Sequence, residues 1–124
     1  MSGNTKGSHS LTRLYGLKNC DSIKKARTWL SANNIDYTFH DYRQNGLDSN
    51  WLEQTEQALG WELMLNKRGT TFRQLSEEQK EGVDKTAALA LMLEFPAMIK
   101  RPILIHNDNY FIGFKADQYA EVFA

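Results

Sequence analysis

The segment from Tyr15 to Ala26 (YGLKNCDSIKKA) most constrains the fold of this chain, because a strand pattern gives way there to a helix pattern. Leu11 to Tyr15 is typical of a short strand. The helix pattern that follows has apolar residues at helical spacing, which predicts one buried face: Ile23, Ala26 and Leu30. Cys20, the only cysteine of the 124 residues, therefore lies where a strand ends and a helix begins.

This position bears on the reactivity of Cys20, because the thiolate is the nucleophile and a helix N-terminus favours negative charge. Lowering a thiol pKa from about 8.5 to about 6 requires roughly 3.4 kcal/mol. A helix end contributes about 0.3–2 kcal/mol, so nearby cations are needed as well. Position alone leaves two interpretations open, a reactive nucleophile and a buried structural thiol. Asp21 and Ser22 are predicted to cap the helix.

Composition predicts one globular domain over residues 11–124, with residues 1–10 read as a disordered leader or an expression tag. Fifteen basic and fifteen acidic side chains balance, which argues against nucleic acid or an anionic membrane as a partner. No apolar run is long enough to span a bilayer. A single cysteine fits a reducing cytoplasm. Because no heptad pattern is present, we expect a monomer.

The chain order predicts an α/β fold with a four-stranded mixed sheet, βαβ followed by ββα, and a helical insert between the second and third strands. Aromatic residues at spacing two predict the second strand over 35–42, and the insert spans about 43–100. Asn107 to Asn109 is predicted as a three-residue hairpin turn between strands 103–106 and 110–114. A last amphipathic helix follows, with its apolar residues at Tyr119, Val122 and Phe123.

Within the insert, a helix is predicted to end near Gly60, and 66–73 (NKRGTTFR) to be a loop. Ser76 begins another helix. The apolar stretch 83–94 is predicted as a helix that Pro96 ends. One side of that helix is predicted to carry Val83, Ala87, Ala90 and Leu91.

Four strands with helices packed on them form a thioredoxin-like arrangement. In that arrangement a reactive cysteine opens the first helix, and a proline, usually cis, precedes the third strand. Arg101-Pro102 occupies that place. The alternative is that Pro102 simply starts a strand, which proline tolerates.

Three motifs make the chain resemble the ArsC/Spx/YffB family of thioredoxin-like proteins, and the YffB branch most closely. They are residues 15–26 around Cys20, residues 66–73, and Ile99 to Ile103 (IKRPI). The resemblance runs from about Leu11 to the C-terminus, and it implies redox chemistry at the cysteine.

In the arsenate reductases of this family, a cysteine attacks arsenate, glutathione resolves the adduct and three arginines bind the oxyanion. Cys20 matches the nucleophile and Arg101 one arginine. Asn66 and Lys115 stand where the other two arginines are expected. Because lysine is a point charge rather than a bidentate fork, tight oxyanion recognition is not expected. The resemblance favours a glutathione-dependent thiol reductase over an arsenate reductase.

The Spx branch consists of transcription regulators that bind RNA polymerase, many with a Cys-x-x-Cys switch. Ile23 stands at the position of the second cysteine, so this chain lacks the internal disulfide switch. A regulatory protein remains the alternative to an enzyme.

The expected mechanism is attack by the Cys20 thiolate to form a mixed disulfide, which an external thiol resolves. Glutathione is the expected co-substrate, with no bound cofactor, and a glutaredoxin or a disulfide-containing protein is a further expected partner. Family resemblance assigns anion binding to Arg68 and Lys115 besides Arg101, although such side chains are by default solvated. Asn19 and Ser22 are candidate hydrogen-bond donors to the sulfur, and the backbone before Pro102 would pair with glutathione.

Other chemistries fit the sequence less well. A phosphatase-type loop needs an arginine six residues after the cysteine, and Arg27 is one place late. One cysteine and scattered histidines do not complete a zinc site. His40 and His106 remain alternatives as a base for Cys20, although their predicted strand positions favour structural roles.

Overall fold

The computed structural model describes residues 11–124, so the predicted leader at residues 1–10 lies outside it. Four strands form one sheet in the order β2-β1-β3-β4. Strand β1 pairs in parallel with β2 and antiparallel with β3, and β3 pairs antiparallel with β4. The strands are β1 (Thr12–Gly16), β2 (Thr38–Asp41), β3 (Ile103–His106) and β4 (Asn109–Ile112). The predicted mixed βαβ–ββα sheet is confirmed.

Strand β2 is shorter than predicted, because it begins at Thr38 and Tyr42 already starts helix α2 (Tyr42–Asn45). Asp41 causes this early end. Its carboxylate accepts the Arg43 N–H at 2.8 Å, and its own N–H donates to the Asn45 side chain at 3.0 Å. Such local side-chain bonds turn the backbone away from a sheet.

The hairpin between β3 and β4 differs from the prediction by one residue. Asn109 pairs with His106, so the turn contains only Asn107 and Asp108. Both have positive φ, 50° and 67°. Two consecutive left-handed residues make a type I′ turn, whose twist matches that of the flanking strands, and Asn and Asp tolerate this backbone best after glycine.

Helices α1 (Asp21–Ala32) and α8 (Ala116–Val122) pack on one face of the sheet. A row of apolar residues crosses that face in register: Phe39, Leu14, Leu104 and Phe111. Ala26, Leu30 and Tyr119 complete its fully buried core. The Tyr119 ring meets Trp29 and Phe114 edge-on, at centroid distances of 5.6 and 4.8 Å. The predicted buried face of α1 is confirmed.

The described chain divides into two compact units, one of residues up to Asn45 with Arg101–Ala124, and one of Gly46–Lys100. The second unit falls within the predicted insert of about 43–100. It contains α3 (Ser49–Leu59), α4 (Trp61–Met64), α5 (Thr70–Arg73), α6 (Glu77–Glu81), α7 (Lys85–Glu94) and a 3-10 turn, Pro96–Met98. No helix in residues 11–124 has the length and hydropathy needed to cross a membrane.

Side chains start two of the insert's helices. Ser76 and Gln79 form a reciprocal capping box at α6, which confirms the predicted helix start. The Asp84 carboxylate accepts the Ala87 N–H and caps α7, which begins at Lys85, two residues after Val83. The predicted face of α7 is therefore wrong. Its buried residues are Ala88 and Met92, because a helix that is apolar nearly all round has no face that spacing can single out.

Two predicted helix ends are confirmed, since α3 ends just before Gly60 and α7 ends before Pro96. The loop predicted for 66–73 is wrong in its second half, where Thr70–Arg73 forms one helical turn. Burial of Phe72 explains that turn, because the helical backbone directs the one aromatic ring of an otherwise polar segment inward.

We expect Leu104→Ala to lower the free energy of unfolding by about 2–5 kcal/mol, because a fully buried side chain is lost from the core. Leu11→Ala is the matched control, since Leu11 is 69% exposed, and its effect should stay within about 0.5 kcal/mol. Urea unfolding followed by circular dichroism measures both changes. Equal losses in the two variants would contradict this assignment of the core.

Candidate active site

Cys20 is itself the N-cap residue of α1, with extended backbone at φ −87° and ψ 132°. The expectation that Asp21 or Ser22 caps this helix is wrong, because Cys20 is the N-cap residue and α1 begins at Asp21. Both residues already lie in the first helical turn. The sulfur therefore occupies the place at which a helix normally holds a capping oxygen, facing backbone N–H groups that lack helical partners.

The surroundings of Cys20 act on its pKa in two directions. Partial burial raises the pKa, since the charged thiolate loses solvation. The N–H of Ile23, a hydrogen bond and positive charge from Arg101, and the N–H of Ser22 together outweigh burial, so the pKa lies below the usual value. The cation that the sequence analysis required is therefore Arg101.

Sheet pairing brings Arg101 to the cysteine. Because Tyr15 pairs with Ile103, the residues just before β3 lie at the end of β1, where the chain continues to Cys20. The Arg101–Pro102 peptide bond is cis, as the thioredoxin-like arrangement predicts. Pro102 is buried, and its carbonyl accepts the Gly113 N–H at 2.9 Å, which ties this segment to the end of β4.

Two tyrosines and a histidine lie together where β1 and β2 end. The ring of His40 lies 5.1 Å from the Tyr15 ring and 6.1 Å from the Tyr42 ring. Burial raises the pKa of Tyr42 far above its usual value and Tyr15 adds to that, while the Arg101 charge opposes them. Neither histidine is among the groups that shift the Cys20 pKa.

His106 lies at the opposite end of β1 from Cys20. It pairs with Thr12, whose Oγ1 lies 2.8 Å from the His106 Nδ1. Four residues of strand, about 13 Å at 3.3 Å per residue, separate Thr12 from the Gly16 end. The His106 ring packs at a tilt against the Phe123 ring, with the two centroids 4.6 Å apart, which is a structural contact.

The junction between β1 and α1, the loop that carries Cys20, is tightly packed at Gly16. A Cβ atom built on Gly16 would collide with the Ile23 Cδ1 and approach the Ile23 Cγ1 to 2.9 Å and the Arg101 Cβ to 3.7 Å. Only a residue without a side chain lets the first turn of α1 come this close to β1.

The remaining predicted site residues are less closely tied to the sulfur. Asn19 is exposed in the turn before Cys20, and Ser22 acts through its backbone N–H rather than its hydroxyl. Lys115 is the exposed N-cap residue of α8 and is not among the groups that shift the Cys20 pKa. Arg68 belongs to the second unit, where it is exposed and its N–H donates to Asn66 at 3.2 Å.

Two residues of the junction were not singled out from the sequence, Gly16 and Asp41. The Asp41 carboxylate accepts the Lys18 N–H at 3.2 Å and so reaches the loop that carries Cys20. The order of elements could have pointed to Asp41. Parallel strands end at the same edge of a sheet, so the residue that ends β2 must lie beside the end of β1. Within residues 11–124, no cluster of three or more His, Cys, Asp or Glu side chains could hold a metal ion.

Comparison with protein families agrees with this arrangement, since the ArsC family model matches residues 15–122. The chain belongs to the ArsC family. Among its relatives, an uncharacterized protein of Haemophilus influenzae is 48% identical across 90% of this chain and 97% of that protein. Global transcriptional regulator Spx 2 of Bacillus anthracis is 30% identical across 85% of this chain and 81% of that protein.

Solved structures of the ArsC family share the fold. A YffB protein is 47% identical and superposes with a TM-score of 0.86. The match covers 91% of this chain and 99% of the YffB chain. A protein from Brucella melitensis described as arsenate reductase related is also 47% identical, with a TM-score of 0.77. That match covers 96% of this chain and 98% of the Brucella melitensis chain. The predicted family, its YffB-like branch and the thioredoxin-like fold are confirmed.

We expect Gly16→Ala to destabilise this ArsC-family protein by about 1–3 kcal/mol, because its methyl group overlaps the fully buried Ile23 side chain. Ile23→Val removes the overlapping Cδ1 atom. The double variant should therefore be more stable than the two separate losses predict, as measured by urea unfolding. Simple additivity of the two losses would argue against this contact.

Proposed function

We propose that this protein is a glutathione-dependent thiol reductase in which Cys20 is the nucleophile. The observation that carries the proposal is the position of the Cys20 sulfur at the N-terminus of α1 with Arg101 hydrogen-bonded to it, a combination that lowers the pKa of the thiol. Thiolates in such partly exposed, electropositive surroundings are the reactive ones.

The reaction has three exchange steps. The Cys20 thiolate attacks one sulfur of a substrate disulfide, so that a Cys20–substrate disulfide forms and the other half leaves as a thiolate. Glutathione thiolate then attacks Cys20 in this mixed disulfide, releasing the second substrate thiol and leaving glutathione bound to Cys20. A second glutathione frees the Cys20 thiolate and departs as oxidised glutathione. One disulfide is reduced and two glutathiones are oxidised.

An external thiol is necessary because the sequence contains no second cysteine that could resolve the adduct. Glutathione also suits the cytoplasm, where we place the protein. The positive charge of Arg101 acts on the sulfur and would attract the anionic thiol. It stays a prediction that Lys115 and Arg68 bind the carboxylates of glutathione. It also stays a prediction that the backbone before Pro102 forms hydrogen bonds with the glutathione peptide. A glutaredoxin is the further proposed partner, for removing glutathione from Cys20.

Arsenate reduction is a second candidate, favoured by the Brucella melitensis relative described as arsenate reductase related. Asn66 and Lys115 count against it, since they replace two of the three arginines that the family's arsenate reductases use. A neutral amide and a single ammonium group bind a tetrahedral oxyanion less tightly than two guanidinium forks do.

A regulatory role is the candidate of a different class, and the Spx relatives favour it. Such a protein would act by binding the transcription machinery. The environment of Cys20 favours the enzyme, because an interaction surface has no need of a thiol stabilised as its thiolate.

We expect the rate of Cys20 alkylation by iodoacetamide to rise with pH through a midpoint below that of a free thiol, because the thiolate is stabilised. Arg101→Met should move the midpoint upward, since a hydrogen bond and a positive charge are lost. Arg13→Met is the control, because Arg13 is an exposed arginine of β1 that is not among the groups that shift the Cys20 pKa, and its loss should leave the midpoint unchanged. A wild-type midpoint at or above the free-thiol value would overturn the proposal.

Oxidised glutathione should add one glutathione to the wild-type protein and none to Cys20→Ser, as measured by mass spectrometry of the intact chain. The wild type should then reduce a small disulfide with glutathione, whereas arsenate should be turned over poorly. Efficient arsenate turnover would favour the second candidate. A stable complex with RNA polymerase that survives Cys20→Ser, with no adduct on the wild type, would favour the regulator.

A further inference from the structure

The Asp41 carboxylate is buried at the end of β2, with 4% of the residue exposed. One oxygen accepts the Arg43 N–H at 2.8 Å and the other accepts the Lys18 N–H at 3.2 Å. The first bond is local and starts α2. The second joins β2 to the loop between β1 and α1, which is the loop that leads to Cys20.

That loop is a tight turn. The Cys20 N–H donates to the Leu17 carbonyl at 3.1 Å, so Lys18 and Asn19 are the two central residues. Neither has positive φ, which among the hydrogen-bonded turns indicates type I. Asp41 holds the N–H of the first central residue, and the turn then places Cys20. Gly16 pairs with Asp41 in the sheet, so the hydrogen bond from the Lys18 N–H to Asp41, here called the tether, joins two neighbouring strand ends.

We propose that Asp41 is a positioning residue for Cys20, whose buried carboxylate holds the Leu17–Cys20 turn so that the sulfur faces the α1 N–H groups and Arg101. The inference rests on the proposed function of Cys20 and extends it. The groups that shift the Cys20 pKa do not include Asp41, so it acts through the Lys18 backbone rather than by its own contact with the sulfur.

A purely electrostatic role and a positioning role of Asp41 predict opposite changes in the Cys20 pKa when the carboxylate is neutralised. If the carboxylate acted on Cys20 only through its negative charge, neutralising it would favour the thiolate and lower the pKa of the thiol. If it positions the turn, breaking the tether lets the sulfur move away from the N–H groups and Arg101, and the pKa rises. The sign of the change therefore separates the two roles.

Asp41→Asn is the informative variant. Its remaining carbonyl oxygen can still accept the Arg43 N–H and preserve α2, whereas its NH2 group would face the Lys18 N–H, donor against donor. We expect the midpoint of Cys20 alkylation to rise and the reduction of a small disulfide to slow by about 10- to 100-fold, as misplacement of a reacting group does. Asp48→Asn is the matched control, because the Asp48 carboxylate also accepts a backbone N–H, that of Trp51, at the N-cap of α3. Asparagine caps a helix as well as aspartate does, so neither quantity should change.

Lys18→Pro cuts the same tether from the other side. Proline has no N–H and is favoured at the first central position of a type I turn. It should raise the alkylation midpoint as Asp41→Asn does, and the two substitutions together should add little to either one alone. Lys18→Ala keeps the N–H and should leave the midpoint in place, which controls for loss of the lysine side chain.

A downward shift or no shift with Asp41→Asn would overturn the positioning role. Amide hydrogen exchange tests that role independently of thiol chemistry, because the Cys20 N–H closes the turn. Faster exchange at Cys20 in Asp41→Asn than in Asp48→Asn supports the tether, and equal rates overturn it. If the wild-type midpoint is that of a free thiol while exchange at Cys20 responds to Asp41→Asn, the reductase proposal fails and the tether stands.

Discussion

The antiparallel pairing of β1 with β3 is the constraint on which the candidate site depends. Tyr15 pairs with Ile103, and that register sets Arg101 beside the turn that leads to Cys20. The helical insert separates these residues in sequence, so only the sheet brings them together. A one-residue slip of this register would send the apolar row of the core to the opposite face of the sheet. The packing of the core therefore fixes the position of the arginine as well.

The site balances the burial of a thiol against donors that favour its charged form. Burial alone would raise the pKa of Cys20 and leave an inert thiol. The donors are the backbone N–H groups of Ser22 and Ile23 in the first turn of α1 and the guanidinium group of Arg101, the residue before the buried Pro102. Donors fixed in advance stabilise a charge without having to reorganise when it forms, which is the usual basis of electrostatic activation. Gly16 contributes by letting α1 approach β1 closely.

Much of the fold could be predicted from the sequence because its signals are local. The helical spacing of Ile23, Ala26 and Leu30 marks a buried face whatever the face packs against, and the structure buries all three. Predictions were wrong where a single side-chain hydrogen bond decided a boundary. Asp41 ends β2 early, and the Asp84 cap starts α7 after Val83. Element order and the resemblance to the ArsC family suggested that Arg101 and Cys20 act together, although the two residues are far apart in the chain.

The sequence by itself determined the four strands, their order and the placement of one cysteine at a strand-to-helix junction, because propensity and periodicity depend on near neighbours. Tertiary structure decided what that cysteine becomes. The Arg101 charge, the close approach allowed by Gly16 and the bond from Asp41 to the Lys18 N–H all join segments that only sheet pairing brings together. A thiol pKa depends on charges and donors within a few ångströms, and those distances exist only once the sheet has formed.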